Sequence, residues 1–134
     1  MFKKIAHISV AVKDLNAASE LFSRLLNVEP LKRERVEQHS VEVAFFRVGE
    51  TKIELTGATS PDSPIAKFIE KRGEGIHHIS FEVDDIHAEL QRLKQAGFRL
   101  VDENPSVGAD GYSVVFLDPK STSGVLLEIS QKNR

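Results

Sequence analysis

The sequence predicts an α+β fold made of two tandem βαβββ modules whose sheets share one open cup. Three observations predict it. "HISVAV" opens at His7 and "HISFEV" opens at His78, 71 positions later. Asp14 and Asp85 keep the same offset, as do Phe45 and Phe116. Each repeat then presents one helical period followed by three strand-like stretches.

The elements follow in order. In "HISVAV" the residues Ile8, Val10 and Val12 alternate with His7, Ser9 and Ala11, so the stretch is a strand with one apolar face. "KDLNAASELFSRLLN" places Leu15, Ala18, Phe22 and Leu25 at helical spacing, with Asp14 as N-cap. "EPLKRERVE", "SVEVAFFRV" and "TKIELTG" read as strands, the last two joined by a turn at Gly49 to Thr51. "SPDSPIAKFIEKRGEG" reads as a linking helix with Pro64 in its first turn. The second module repeats the pattern: the strand "IHHISFEV", a helix ending at Gly97, then "FRLVDE", "YSVVFLD" and "GVLLEIS" as strands. Module one covers about 1–60, the linking helix about 61–72 and module two about 73–134, all within a single domain.

Composition narrows the function. Eighteen Lys and Arg against 20 Asp and Glu leave a formal charge of −2, with no basic stripe for a nucleic acid. The chain has no cysteine, which excludes disulfides, thiolate catalysis and zinc–thiolate sites. No apolar run approaches membrane length, and "MFKKIAHI" leads directly into a patterned strand with no secretion signal. A cytoplasmic enzyme or binding protein is the expectation.

The alternation of each strand sorts its side chains between a helix-covered face and the cup. His7, Ser9 and Ala11 face the cup in the first strand, and His78, Ser80 and Glu82 in its repeat. Ile53 and Leu55 are expected to pack, so Lys52 and Glu54 face the cup; Val125, Leu127 and Ile129 are expected to pack, so Glu128 and Ser130 face it. In "SVEVAFF", Val41, Val43 and Phe45 are expected to pack, which turns Glu42 into the cup. His77 is expected on the opposite face from His78, and His39 and His87 on the surface. Ionisable groups left bare in a recess would cost several kcal/mol, roughly. A divalent cation is the economical partner for two imidazoles and two carboxylates.

The chain resembles the methylmalonyl-CoA epimerase family of the vicinal oxygen chelate superfamily. "AHISVAVKDL", "GETKIELTG", "DSPIAKFIEKRGEGIHHISFEVDDI" and "FLDPKSTSGVLLEIS" carry the resemblance, which spans nearly the whole chain. It implies the vicinal oxygen chelate fold, with His7, Glu54, His78 and Glu128 as ligands of one divalent metal ion per site. Cobalt is favoured by the resemblance, and manganese, nickel or zinc would suit the same donors. It implies inversion at the carbon between thioester and carboxylate of methylmalonyl-CoA, with Glu42 and Glu128 as the two proton-transfer groups. Lys120 and Ser121, in the "DPKSTSG" loop, are the candidate contacts to the coenzyme A portion. A homodimer is also implied. A glyoxalase-type lyase or isomerase and a non-enzymatic drug-binding protein of the same fold are the alternatives.

Overall fold

The computed structural model describes residues 1–133. Its strands are β1 (Phe2–Ala11), β2 (Lys32–Val36), β3 (Val41–Val48), β4 (Thr51–Ala58), β5 (Gly75–Val83), β6 (Ser106–Val107), β7 (Ser113–Leu117) and β8 (Leu127–Gln131). Its helices are α1 (Leu15–Leu26), α2 (Pro64–Arg72) and α3 (Ile86–Gln95). All eight strands form one sheet in the order β2-β3-β4-β1-β5-β8-β7-β6.

The duplication is visible in that order. β1 and β5 pair antiparallel at the centre, and each carries its module's last strand parallel on its outer side. Ser9 stands opposite Glu54, and Ser80 stands opposite Glu128. His7 and His78 each precede their serine by two positions, so His7, Ser9, His78 and Ser80 share one face with the two glutamates.

Local chemistry sets the helix starts. Asp14 accepts a hydrogen bond from the Ala17 amide at 3.0 Å, and Asp85 from the Ala88 amide at 3.1 Å. Ser63 caps α2 through the Ile65 amide, with Pro64 at its first position. α1 lies on the convex face against Val12, Ala44, Phe46 and Leu55; α3 covers Val83, Val115, Leu117 and Ile129. Burying a side chain such as Phe46 or Leu55 contributes roughly 1.5–3 kcal/mol each. Ile65 of α2 instead packs with Ala11, Val36, Val41, Val43 and Phe45 on the concave face.

Two expectations are overturned. Residues 98–103 are not a strand. Leu100 makes one isolated bridge to Leu117, and the short strand beside β7 is Ser106–Val107. Phe98 and Leu100 serve as packing against the α3 core instead. In β3 the faces are reversed. Phe45 pairs with Glu54 and Val43 with Thr56 across β3–β4. Cross-strand partners share a face, so Val43 and Phe45 look into the cup, while Ala44 and Phe46 lie under α1.

Candidate active site

The cup encloses a cavity of about 450 Å³ whose lining includes His7, Glu54, His78 and Glu128. β1 and β5 deliver the histidines from the central seam, and β4 and β8 deliver the glutamates from either side. The His7 and His78 Nε2 atoms are 3.0 Å apart. His7 Nε2 is 3.5 Å from Glu54 Oε2 and 3.4 Å from Glu128 Oε1. His78 Nε2 is 3.9 Å from Glu128 Oε2.

These side chains are short of partners of their own. Glu54, His78 and Glu128 are 6%, 6% and 4% exposed. Glu128 Oε1 is buried without a hydrogen bond; the His7 contact is close but not aligned as one. Burial pushes the Glu128 carboxyl up to about 7 and the His78 imidazole well below its ordinary value, the latter reinforced by His7 and His77. One ligand atom from each of His7, Glu54 and His78 lies within 4.8 Å of the others. Two imidazole nitrogens and two carboxylates, one of them with an orphaned buried oxygen, fit a divalent cation. His7, Glu54 and His78 form the tight set, and Glu128, from the same module as His78, touches it through His7.

The structure does not bring Glu42 to this cluster. Glu42 shares the helix-covered parity of Ala44 and Phe46, and its Oε2 lies 3.4 Å from Arg33 Nε. The cup wall at that point is Val41, Val43 and Phe45. Lys120 and Ser121 lie in a 3-10 turn, Pro119–Ser121. Lys120 is exposed. The Ser121 hydroxyl donates to the Asp118 carbonyl and accepts from the Arg99 amide, so it holds the loop rather than facing the cavity.

Two residues expected away from the cup, His77 and His39, take part in it. His77 lines the cavity because β5 carries a bulge: Ser9 faces His78, but Val10 faces Ile76, and His77 is the extra residue. His39 also lines the cavity and contacts the Ser106 hydroxyl at 3.3 Å. Lys52, on the cup side as the alternation of its strand implies, reaches over the Phe45 and Tyr112 rings to Asp110. The adjacent His77–His78 pair was a readable signal, since the position matching His77 in module one is Ala6.

A second cavity, of about 560 Å³, shares His77 and His78 with the first. Lys67, Lys71 and Arg72 of α2 line it along with Phe68, Ile76 and Val125. No helix among the described residues is long and apolar enough to cross a membrane.

Comparison with known proteins agrees with this geometry. Residues 6–116 match the model of the Glyoxalase/Bleomycin resistance protein/Dioxygenase superfamily. The ethylmalonyl-CoA/methylmalonyl-CoA epimerase of Cereibacter sphaeroides is 41% identical over 133 residues, covering 98% of this chain and 99% of that protein. The mitochondrial methylmalonyl-CoA epimerase of Homo sapiens is 38% identical over 129 residues, covering 96% and 73%. A variant of the Streptomyces coelicolor methylmalonyl-CoA epimerase, solved in complex with 2-nitronate-propionyl-CoA, superposes with a TM-score of 0.96 at 30% identity, with both chains fully covered (100% each). Relatives at these identities over most of their length, one of them solved on the same curled sheet, leave one conclusion: the chain belongs to the methylmalonyl-CoA epimerase family of the Glyoxalase/Bleomycin resistance protein/Dioxygenase superfamily.

Proposed function

We propose that the chain interconverts (R)- and (S)-methylmalonyl-CoA by removing and returning the α-proton. The convergence of His7, Glu54, His78 and Glu128 in one buried cup carries this reading. Those four residues would hold one divalent cation. Such an ion supplies Lewis-acid stabilisation of the charge that develops on the thioester oxygen as the proton leaves.

The rest of the work falls to the protein. Inversion needs one group to take the proton and another to deliver one from the opposite side. Glu54 and Glu128 occupy equivalent positions of the two modules, and both reach the cup. We assign proton transfer to this pair, with Glu128 as the base. Glu42 drops out, because its carboxylate is on the other face of β3. Val43 and Phe45 line the cup beside Glu54, an apolar wall that fits the α-methyl group and excludes water.

The coenzyme A arm is assigned to the second cavity. Lys67, Lys71 and Arg72 there suit phosphates, and Lys120 lies on the neighbouring loop, whose residue Pro119 lines the same cavity. Cobalt remains the favoured ion, with manganese, nickel or zinc compatible. A cytoplasmic homodimer completes the reading, and sedimentation velocity tests the assembly.

The test is α-proton exchange of methylmalonyl-CoA in deuterated solvent, with and without added divalent metal. Metal-dependent exchange coupled to inversion is expected. Turnover of methylglyoxal hemithioacetal without exchange at methylmalonyl-CoA would place the chain with glyoxalase-type enzymes instead.

A further inference from the structure

The bulge in β5 gives His78 a neighbour that no other cup residue has. Both ring nitrogens of His78 have an imidazole next to them. Nε2 faces His7 Nε2 at 3.0 Å, and Nδ1 faces His77 Nδ1 at 2.9 Å. A neutral imidazole has one N–H and one lone pair, and only the lone-pair nitrogen can take a metal. The proton's location therefore decides whether His78 can be a ligand at all.

We infer that His77 is a positioning residue: its Nδ1 accepts the Nδ1–H of His78 and so fixes the tautomer that leaves the His78 Nε2 lone pair pointing into the cup. In the opposite arrangement His77 would donate to His78 Nδ1. The His78 proton would then sit on Nε2, where it blocks the ion. A ligating histidine commonly donates its other N–H to an acceptor, which sets ring orientation and basicity. Carboxylates and carbonyls usually fill that role; here a second imidazole does.

The surroundings hold both rings in place. His78 is 6% exposed, so solvent does not offer a replacement acceptor. Phe116 packs edge-on against His78, with centroids 5.0 Å apart at 88°. Phe68 of α2 packs edge-on against His77, with centroids 5.0 Å apart at 83°. The linking helix thus steadies a group that touches the metal ligand, though α2 itself supplies no ligand. The equivalent position in module one is Ala6, so His7 has no such partner and the two ligands are not interchangeable.

The inference rests on the reading that His78 holds a divalent ion, and the experiment keeps the two apart. Metal-stripped wild type, His77→Phe and His77→Asn are titrated with zinc by calorimetry, with thermal melts confirming that each is folded. His77→Phe keeps a ring but accepts no hydrogen bond. It is expected to lose roughly 10- to 100-fold in zinc affinity. His77→Asn offers a side-chain oxygen near the same place and is expected to recover most of that loss. In parallel, histidine ¹⁵N spectra of zinc-loaded wild type are expected to show His78 protonated on Nδ1 and bare on Nε2. Equal affinity of the Phe variant and wild type overturns the inference, as does an Asn variant no better than Phe. His78 protonated on Nε2 overturns it too, and needs no variant to fold. Absence of zinc binding by wild type would instead overturn the metal reading beneath it.

Discussion

The Nε2 atoms of His7 and His78 stand 3.0 Å apart across the β1–β5 seam, one from each module. Neutral imidazoles that close can share a proton or a cation, and burial opposes a proton on His78. A cation with two carboxylate partners resolves the cluster. His7→Ala or His78→Ala is therefore expected to lower metal affinity by at least about 100-fold, beyond the usual loss of an outer-shell partner. Metal content of the purified variants is the measurement, supported by loss of the metal-induced rise in melting temperature. Near-stoichiometric metal in either variant would contradict the assigned ligand set.

Glu42→Gln and Glu128→Gln should part company. Glu42 is paired with Arg33 on the helix-covered side, a half-exposed ion pair worth about 0–1 kcal/mol. Its removal is expected to leave epimerisation within about twofold of wild type and to cost little stability. Glu128→Gln is expected to lower kcat by about 10²–10⁴, the usual range for a general base. Comparing initial rates with each enantiomer decides the matter. A crippled Glu42→Gln enzyme with unchanged melting temperature would return that carboxylate to the mechanism.

The two variants also mark what could be read from the sequence and what could not. Around the four donors, in Ile8–Val10, Ile53–Leu55, Ile79–Val83 and Leu127–Ile129, the apolar residues occupy one parity, so His7, Glu54, His78 and Glu128 fell on the cup side by alternation. β3 is apolar at both parities, with Val43 and Phe45 on one face and Ala44 and Phe46 on the other. Alternation carries no information there. The matching offset of Phe45 and Phe116 did carry some, because Phe116 lies against His78 in the cup. His77 was misplaced for a different reason. A bulge adds one residue to a strand and breaks the period of two, and nothing in "GIHHIS" announces it except the doubled histidine. The "FRLVDE" stretch alternates well enough for a strand, yet Phe98 and Leu100 are held by the α3 core, and the strand forms only beyond Asn104–Pro105.

Metal binding should release a proton in a pH-dependent way. Burial raises the metal-free Glu128 carboxyl to about 7 from its ordinary 4.5. Below that pH the group carries a proton that must leave before the carboxylate can ligate or act as a base. Metal affinity therefore rises as pH climbs toward about 7 and levels off above it. Calorimetry in buffers of different ionisation enthalpy should find Glu128 contributing close to one released proton near pH 6 and little near pH 8.5. Glu128→Gln should remove that contribution. An unchanged proton count in the variant would assign the release to another group.

The last expectation concerns how the cup is closed. β2 and β6 are the two ends of the sheet, and Asp110, just past β6, ties them together. Its carboxylate bridges Lys32 Nζ at 2.7 Å and Lys52 Nζ at 3.1 Å, and its amide donates to Glu34 Oε1 at 2.9 Å. The hydrogen bond from Lys32 is the main reason its pKa lies below the ordinary value, with Lys52 adding to it. Asp110 also sits at φ 59°, a left-handed conformation that aspartate and asparagine tolerate better than most residues. Asp110→Asn therefore keeps the backbone and the amide bond and removes only the charge. Because each pair is partly exposed, the stability cost should be about 1 kcal/mol or less. The local cost is larger in kind, since the same carboxylate holds Lys52 across the cavity mouth beside Phe45 and Tyr112. Hydrogen exchange across residues 106–112 should quicken, and KM should rise more than kcat falls. The sign with pH follows from the depressed pKa: the stabilisation is full above the unfolded value near 4 and fades as pH drops through the lower folded value. Wild type at acidic pH should thus approach the variant's exchange pattern. Unchanged exchange in this segment, in the variant and in acid alike, would show that the lip is held by the His39–Ser106 contact and the β6–β7 pairing rather than by charge.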